Sequence, residues 1–206
     1  MRSSQELLRD LSRELLISNN CYARIAIVLG IDLNGNIRDP SGSLFYVMLL
    51  HMVREAETRD IPDILRLLVQ VDMVHHNARP DLFKGPATKY NGEEIAQIIA
   101  DESRPLFVFE NEDGKVTGHA FCIAKQIVGD SVLTDIKTLY VDDICVDENA
   151  RGRGVGKALY EHVKQYARDN GFYNITLNVW EGNPGARAFY EAMGLKPQKT
   201  CLEEIL

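Results

Sequence analysis

The sequence predicts an α/β (α+β) fold built on a mixed sheet, and three observations carry that expectation. Apolar runs at residues 106–110 and 116–128 are joined across Asn111-Glu112-Asp113-Gly114, which reads as an antiparallel hairpin. Residues 138–146 and 174–180 read as strands separated by one helical pattern, and a strand, helix, strand unit of this length is a parallel crossover. Capped helical runs before and after these strands supply layers to cover the sheet.

Taken in order, residues 1–50 form an extension of their own. Leu7, Leu8, Leu11, Leu15 and Leu16 recur at helical spacing behind Ser3 and Ser4, and residues 22–31 and 43–50 read as strands flanking Asn34-Gly35-Asn36. Such a helix and hairpin bury too little apolar surface to stand alone. They are expected to dock on the main domain or on a second copy of it, which would make a homodimer, or else to be weakly ordered; a start near Met48 or Met52 is a further reading.

Residues 51–206 form the main domain. Residues 53–56 read as a strand, and Pro62 opens a helix with Ile61, Ile64, Leu65, Leu68 and Val71 on its apolar face. A polar loop rich in breakers is expected from His75 to Pro86. Asn91 caps the next helix, with Glu94 placed to complete a capping box and Ile95, Ile98 and Ile99 facing inward. The crossover helix carries Val155, Leu159, Val163, Tyr166 and Ala167 and stops at Asn170-Gly171. A last helix runs from the Asn183 cap and Pro184 to Gly194, and residues 196–206 are expected to add a strand.

Composition narrows the function. At 206 residues and 45% hydrophobic content the chain is an ordinary globular protein. Cys21, Cys122, Cys145 and Cys201 are scattered without a C-x-x-C pair, so neither a metal site nor a disulfide framework is expected. The apolar runs are too short to span a bilayer, and Glu6, Asp10 and Glu14 are unlike a secretory signal; the expected place is the cytoplasm, away from membranes. The formal charge of −7 falls outside residues 1–50, which carry five basic and five acidic side chains. An acidic domain disfavours nucleic acid and suits a cationic partner, although solubility accounts for the same charge.

The chemistry concentrates between Tyr140 and Lys157. A β-branched run with Asp142 and Asp143 inside it passes into Arg151-Gly152-Arg153-Gly154-Val155-Gly156 ahead of a helix. Glycines let the backbone close on an anion, and the first N–H groups of a helix point at it. The spacing fails the dinucleotide pattern G-x-G-x-x-G, and it fails the P-loop pattern, because Gly152 stands too near Gly156-Lys157 and Ala158 follows. What remains is R-x-x-G-x-G, with a ligand-free glycine turn as the alternative.

R-x-x-G-x-G resembles the pyrophosphate loop of the GNAT superfamily of acetyl-CoA-dependent N-acetyltransferases. Asn183-Pro184-Gly185-Ala186-Arg187-Ala188-Phe189-Tyr190 resembles the second signature of that family, N-x-x-A-x-x-F-Y. The resemblance covers Val53 to Leu206. It implies a central, mostly antiparallel twisted sheet with a parallel splayed strand pair and helices on both faces. It also implies acetyl-CoA as co-substrate and a primary amine of a small molecule or peptide as acceptor, attacked directly in a ternary complex. The implied acetyl-CoA contacts are Ile144, Cys145 and Val146, the run Arg151, Gly152, Arg153, Gly154, Val155, Gly156 and Lys157, and Asn183, Ala186 and Tyr190. Within that set the Val146 N–H polarises the thioester.

Tyr190 is then the general acid, or else a packed core tyrosine. Asp142 and Asp143 are the candidate bases, or else carboxylates satisfied by their neighbours; the resemblance prefers Asp142. Side chains alternate along a strand, so only one of the two enters the cleft unless a bulge breaks the alternation. His75, His76 and Arg79 are expected to line the acceptor site or to lie in a solvated loop. Cys145 as an acyl-accepting nucleophile is disfavoured, since no histidine sits at a telling distance. The alternative to an enzyme is a non-catalytic acyl-CoA-binding or sensor module, which would need neither Tyr190 nor the acids.

Overall fold

A computed structural model describes residues 52–206; the helix and hairpin expected in residues 1–50 lie outside them. The elements are β1 (Val53–Glu55), α1 (Ile61–Ala78), α2 (Gly92–Ile99), β2 (Leu106–Glu110), β3 (Val116–Gln126), β4 (Lys137–Val146), α3 (Val155–Asp169), β5 (Asn174–Leu177) and α4 (Pro184–Ala192). The sheet runs in the order β1-β2-β3-β4-β5. Its first three junctions are antiparallel and β4 pairs with β5 in parallel, as the crossover requires.

The two sheet faces have separate cores. On one, Ile64, Leu67 and Leu68 of α1 and Ile95 and Ile98 of α2 pack on Leu106, Val108, Phe121 and Cys145. On the other lies α3, whose Leu159 and Val163 are fully buried. Gly118 lets α3 approach there, because a Cβ would stand 2.9 Å from Leu159 Cδ1 and 3.1 Å from Val155 Cγ1. Asn91 and Glu94 form the expected reciprocal cap of α2.

Three expectations need correction. α1 continues through His75 and His76 to Ala78, because Met73 and Val74 extend its periodicity and no breaker precedes Pro80; Arg79, the residue before the proline, leaves helical geometry. β5 stops at Leu177, not at Trp180, because its pairing with β4 ends at Val141↔Leu177. Residues 196–206 form no strand; Pro197 lacks a donor, and Arg79 ties Glu203 of this tail to the end of α1.

Candidate active site

The site begins with a bulge. In the ladder of β3 with β4, Cys122 stands opposite Val141 and Phe121 opposite Asp143, which leaves Asp142 as the extra residue. Opposed residues in an antiparallel pair share a face. Cys122 lies two steps in register beyond Ala120 and four beyond Gly118, on the α3 side, whereas Phe121 belongs to the core under α1 and α2. The bulge therefore moves β4 from one face to the other: Val141 lies on the α3 side, Asp143 and Cys145 on the α1 side. The bulged Asp142 is also drawn to the α1 side, where its carboxylate meets Tyr90, itself packed on Phe121 with ring centroids 5.4 Å apart. Both carboxylates thus reach one face, the exception that the alternation rule allowed.

Their surroundings differ. Asp142 Oδ2 accepts from Lys89 Nζ at 2.7 Å and from the Tyr90 hydroxyl at 2.9 Å, and Arg104 donates to that hydroxyl at 3.0 Å. Burial and the hydrogen bond to Asp142 push the Tyr90 phenol upward, so it stays a donor. Asp143 Oδ2 faces Nε2 of His119 at 2.9 Å. The Asp142 and Asp143 side chains are only 11% and 13% exposed, against 50% for Lys89, so the lysine reaches from solvent onto a mostly covered carboxylate.

Tyr190 projects from α4, whose cap is Asn183: Asn183 Oδ1 accepts from the Ala186 N–H at 3.0 Å. The cap commits that oxygen and that N–H, so a ligand contact by Asn183 falls to its amide nitrogen. Burial pushes the Tyr190 phenol well above the ordinary tyrosine range, and the nearby charge of Asp143 adds to the rise. The ring stands edge-on to Tyr160 of α3 at 6.2 Å.

Where β4 and β5 part, the backbone of β4 is turned outward. The Asp147 N–H donates to Thr117 O at 2.9 Å, so the opposed pair Gly118 and Val146 is a non-hydrogen-bonded one. The Val146 N–H accordingly points away from β3, into the gap. Ile144 stands opposite Ala120 on the α3 side. Cys145 is 4% exposed, its Sγ donates to Leu67 O, and burial pushes its thiol up to about 12, so its side chain belongs to the core under α1 and not to the gap.

The loop follows directly. Arg66 of α1 pairs with Asp147 and donates to Val116 O, and Gln70 accepts from the Glu148 N–H, so α1 braces the entry to the loop. Gly152 and Gly154 have φ of +75° and +86°, a region that disfavours side chains, and Gly154 is the N-cap of α3. A Cβ at Gly152 would meet nothing within 4 Å among the described residues. Arg151, Arg153 and Lys157 are exposed, Val155 is buried, and Arg151 Nε donates to Val146 O at 3.3 Å. An open glycine turn, a helix N-terminus and exposed basic side chains suit a pyrophosphate. Gly156 faces elsewhere: its Cβ direction meets Val146 and Phe189 at 3.5 to 3.6 Å, so it serves packing between α3, β4 and α4.

The predicted acceptor residues do not join this group. His75 stacks on Phe83 at 5.1 Å, His76 Nδ1 contacts Phe83 O at 2.7 Å, and Arg79 is held by Asp81 and Glu203. The same segment sends Lys89 and Tyr90 to Asp142 instead. The sequence does not single out those two or His119, although a histidine inside an apolar strand opposite a two-acid strand is a usable signal. An open depression lined by Thr58, Ile61, Pro62, Asn91, Gly92 and Glu93 contains none of these groups. Among the described residues, no group of three or more His, Cys, Asp or Glu is placed to hold a metal ion, and no helix is long and apolar enough to cross a membrane.

Residues 71–195 match the acetyltransferase (GNAT) family, and the chain belongs to it. It is 29% identical to human N-acetyltransferase 8B over 122 residues, 56% of this chain and 52% of that protein. It is 26% identical to the thialysine N-ε-acetyltransferase of Bos taurus over 157 residues, 71% of this chain and 85% of that one. The chain spans about half the length of the human relatives it matches. The crystal structure of a mutant of the Bacillus halodurans protein BH1408 superposes with a TM-score of 0.72 at 30% identity, covering 75% of this chain and 98% of that one.

Proposed function

We propose that this protein is an N-acetyltransferase that moves acetyl from acetyl-CoA to a primary amine by direct attack in a ternary complex. The observation that carries the proposal is the bulge at Asp142, which turns two carboxylates to one face of β4 ahead of the glycine loop, on the strand that parts from β5. The loop and the start of α3 hold the pyrophosphate. The Val146 N–H is a fixed dipole for the thioester oxygen. Asp143 receives the proton of the acceptor ammonium, directly or through water, and Tyr190 protonates the departing thiolate. Asp143 is preferred to Asp142 as base because Asp142 Oδ2 is already shared by a cation and a hydroxyl. The buried Cys145 thiol leaves no role for an acyl-cysteine.

Release of free CoA in the presence of a panel of primary amines tests the reading. Acetyl-CoA binding without turnover on any amine would leave a non-catalytic acyl-CoA-binding module. For the loop, Gly154→Val places a β-branched residue at φ +86°, a strain of about 1–3 kcal/mol, and its branches enter the anion cradle. Calorimetry is expected to show acetyl-CoA affinity lowered about tenfold or more; unchanged affinity would remove the loop from the site. Gly156→Val reads packing instead, given what its Cβ faces.

Lys89 marks the acceptor's chemistry. Its ammonium occupies the Asp142 carboxylate, and a cationic amine entering the same face competes with it. Lys89→Met keeps the stem and removes the charge. The KM of a cationic amine is expected to fall several-fold, since charges about 4 Å apart near a surface interact by about 1–4 kcal/mol, while kcat holds. A rise in KM would mean that Lys89 binds an anionic part of the acceptor.

A further inference from the structure

The proposed acid, base and cradle leave the buried His119 without a task. His119 is 0% exposed, in the middle of β3, with its ring edge-on to Phe121 at 5.0 Å. Nε2 lies 2.9 Å from Asp143 Oδ2, and Nδ1 has no hydrogen-bond partner among the described residues. Burying an imidazole in an apolar strand is costly unless its polar atoms are used. Here one is used, and it is aimed at one carboxylate.

We infer that His119 is a positioning residue for acetyl transfer, holding the Asp143 carboxylate in the orientation that receives the acceptor's proton. The inference rests on the assignment of Asp143 as proton acceptor. A carboxylate can only accept, so the Nε2 atom must carry the proton in this pair. Nδ1 is then a bare acceptor, and an orphaned acceptor is tolerated in an interior better than an orphaned N–H. The environment thus favours a single tautomer, and with it a single direction for the donated hydrogen bond. The ring cannot swing to another partner, because Phe121 packs against it and Cys145 stands opposite in the ladder. Asp143, next to a bulge where strand geometry is loosest, gains from a rigid neighbour what the sheet does not give it. A histidine seated this way touches neither acceptor nor acetyl-CoA and acts only through the carboxylate.

His119→Met fills the ring's volume and removes the donor. His119→Gln carries an amide nitrogen at about the reach of Nε2, and His119→Asn carries one that falls short. With acetyl-CoA and the best amine of the panel, kcat is expected to fall about tenfold or more in the Met and Asn variants, as for a misplaced catalytic group. KM for acetyl-CoA should stay within about twofold, and Gln should retain most of the activity. In an Asp143→Asn background, His119→Met should cost nothing further, because the two act as a unit. Wild-type kcat in the Met or Asn variant would overturn the inference. So would a Gln variant as impaired as Asn, or losses that multiply in the double variant. Should the Met variant fail to fold, the contrast of Gln with Asn decides. Asp143→Asn alone tests the underlying assignment: if it keeps full kcat, that assignment fails whatever His119 does.

Discussion

Replacing Tyr190 by phenylalanine is expected to lower kcat about 100-fold or more while leaving acetyl-CoA affinity in place. The ring contacts with Tyr160 and Phe189 belong to the aromatic carbon frame, which phenylalanine keeps. What is lost is one proton, needed only as the carbon–sulfur bond breaks, so the loss belongs in turnover and not in binding. Burial raises this phenol and Asp143 raises it further, so it is protonated throughout the range in which an ordinary tyrosine, at about 10, would be. Two measurements check the assignment: steady-state turnover of the variant, and calorimetry with acetyl-CoA. Wild-type turnover in Tyr190→Phe would make the hydroxyl structural and leave solvent to protonate the thiolate. An alkaline fall in wild-type activity well below pH 10, absent from the variant, would mean that Tyr190 titrates where its surroundings say it should not.

What could be read in the sequence was local chemistry. The glycine turn ahead of α3, the Asn183 cap and the Asn91 and Glu94 box are each set by residues within a few positions of one another, and each stands where the spacing placed it. The parallel neighbours β4 and β5 followed from the length of the crossover. What could not be read was register. Nothing in residues 138–146 announces that Asp142 is the extra residue, because a bulge is decided by how β3 and β4 pair as a whole. Without the bulge the two acids fall on opposite faces; with it they share one. Lys89, Tyr90 and His119 escaped for the same reason, since they reach the acids across the fold and not along the chain. The stretch from His75 to Ala78 shows the opposite case: its polar run reads as a loop, yet α1 has no breaker to stop it before Pro80.

The bulge also separates the two acids experimentally. Asp143→Asn keeps the side chain's shape, and its amide oxygen can still accept from His119, but it cannot take a proton from an ammonium. General base catalysis is worth about 100-fold to 10,000-fold, so kcat/KM at neutral pH is expected to fall by about 100-fold or more. Asp142→Asn should act differently. Its carboxylate neutralises Lys89 and accepts from Tyr90, so its loss should raise KM for a cationic acceptor more than it lowers kcat. The pH dependence gives the decisive contrast. An alkyl ammonium titrates near about 10.4, so below that value the fraction of free amine grows tenfold per pH unit. If Asp143 serves to remove that proton, raising the pH supplies the deprotonated amine without it, and the Asp143→Asn enzyme should recover steadily toward wild type between about pH 7 and pH 9. The defect of Asp142→Asn, being one of charge pairing, should not recover in that window. Wild-type turnover in Asp143→Asn would remove it as the base. A deeper, pH-rescued loss in Asp142→Asn would move that role to the bulged residue.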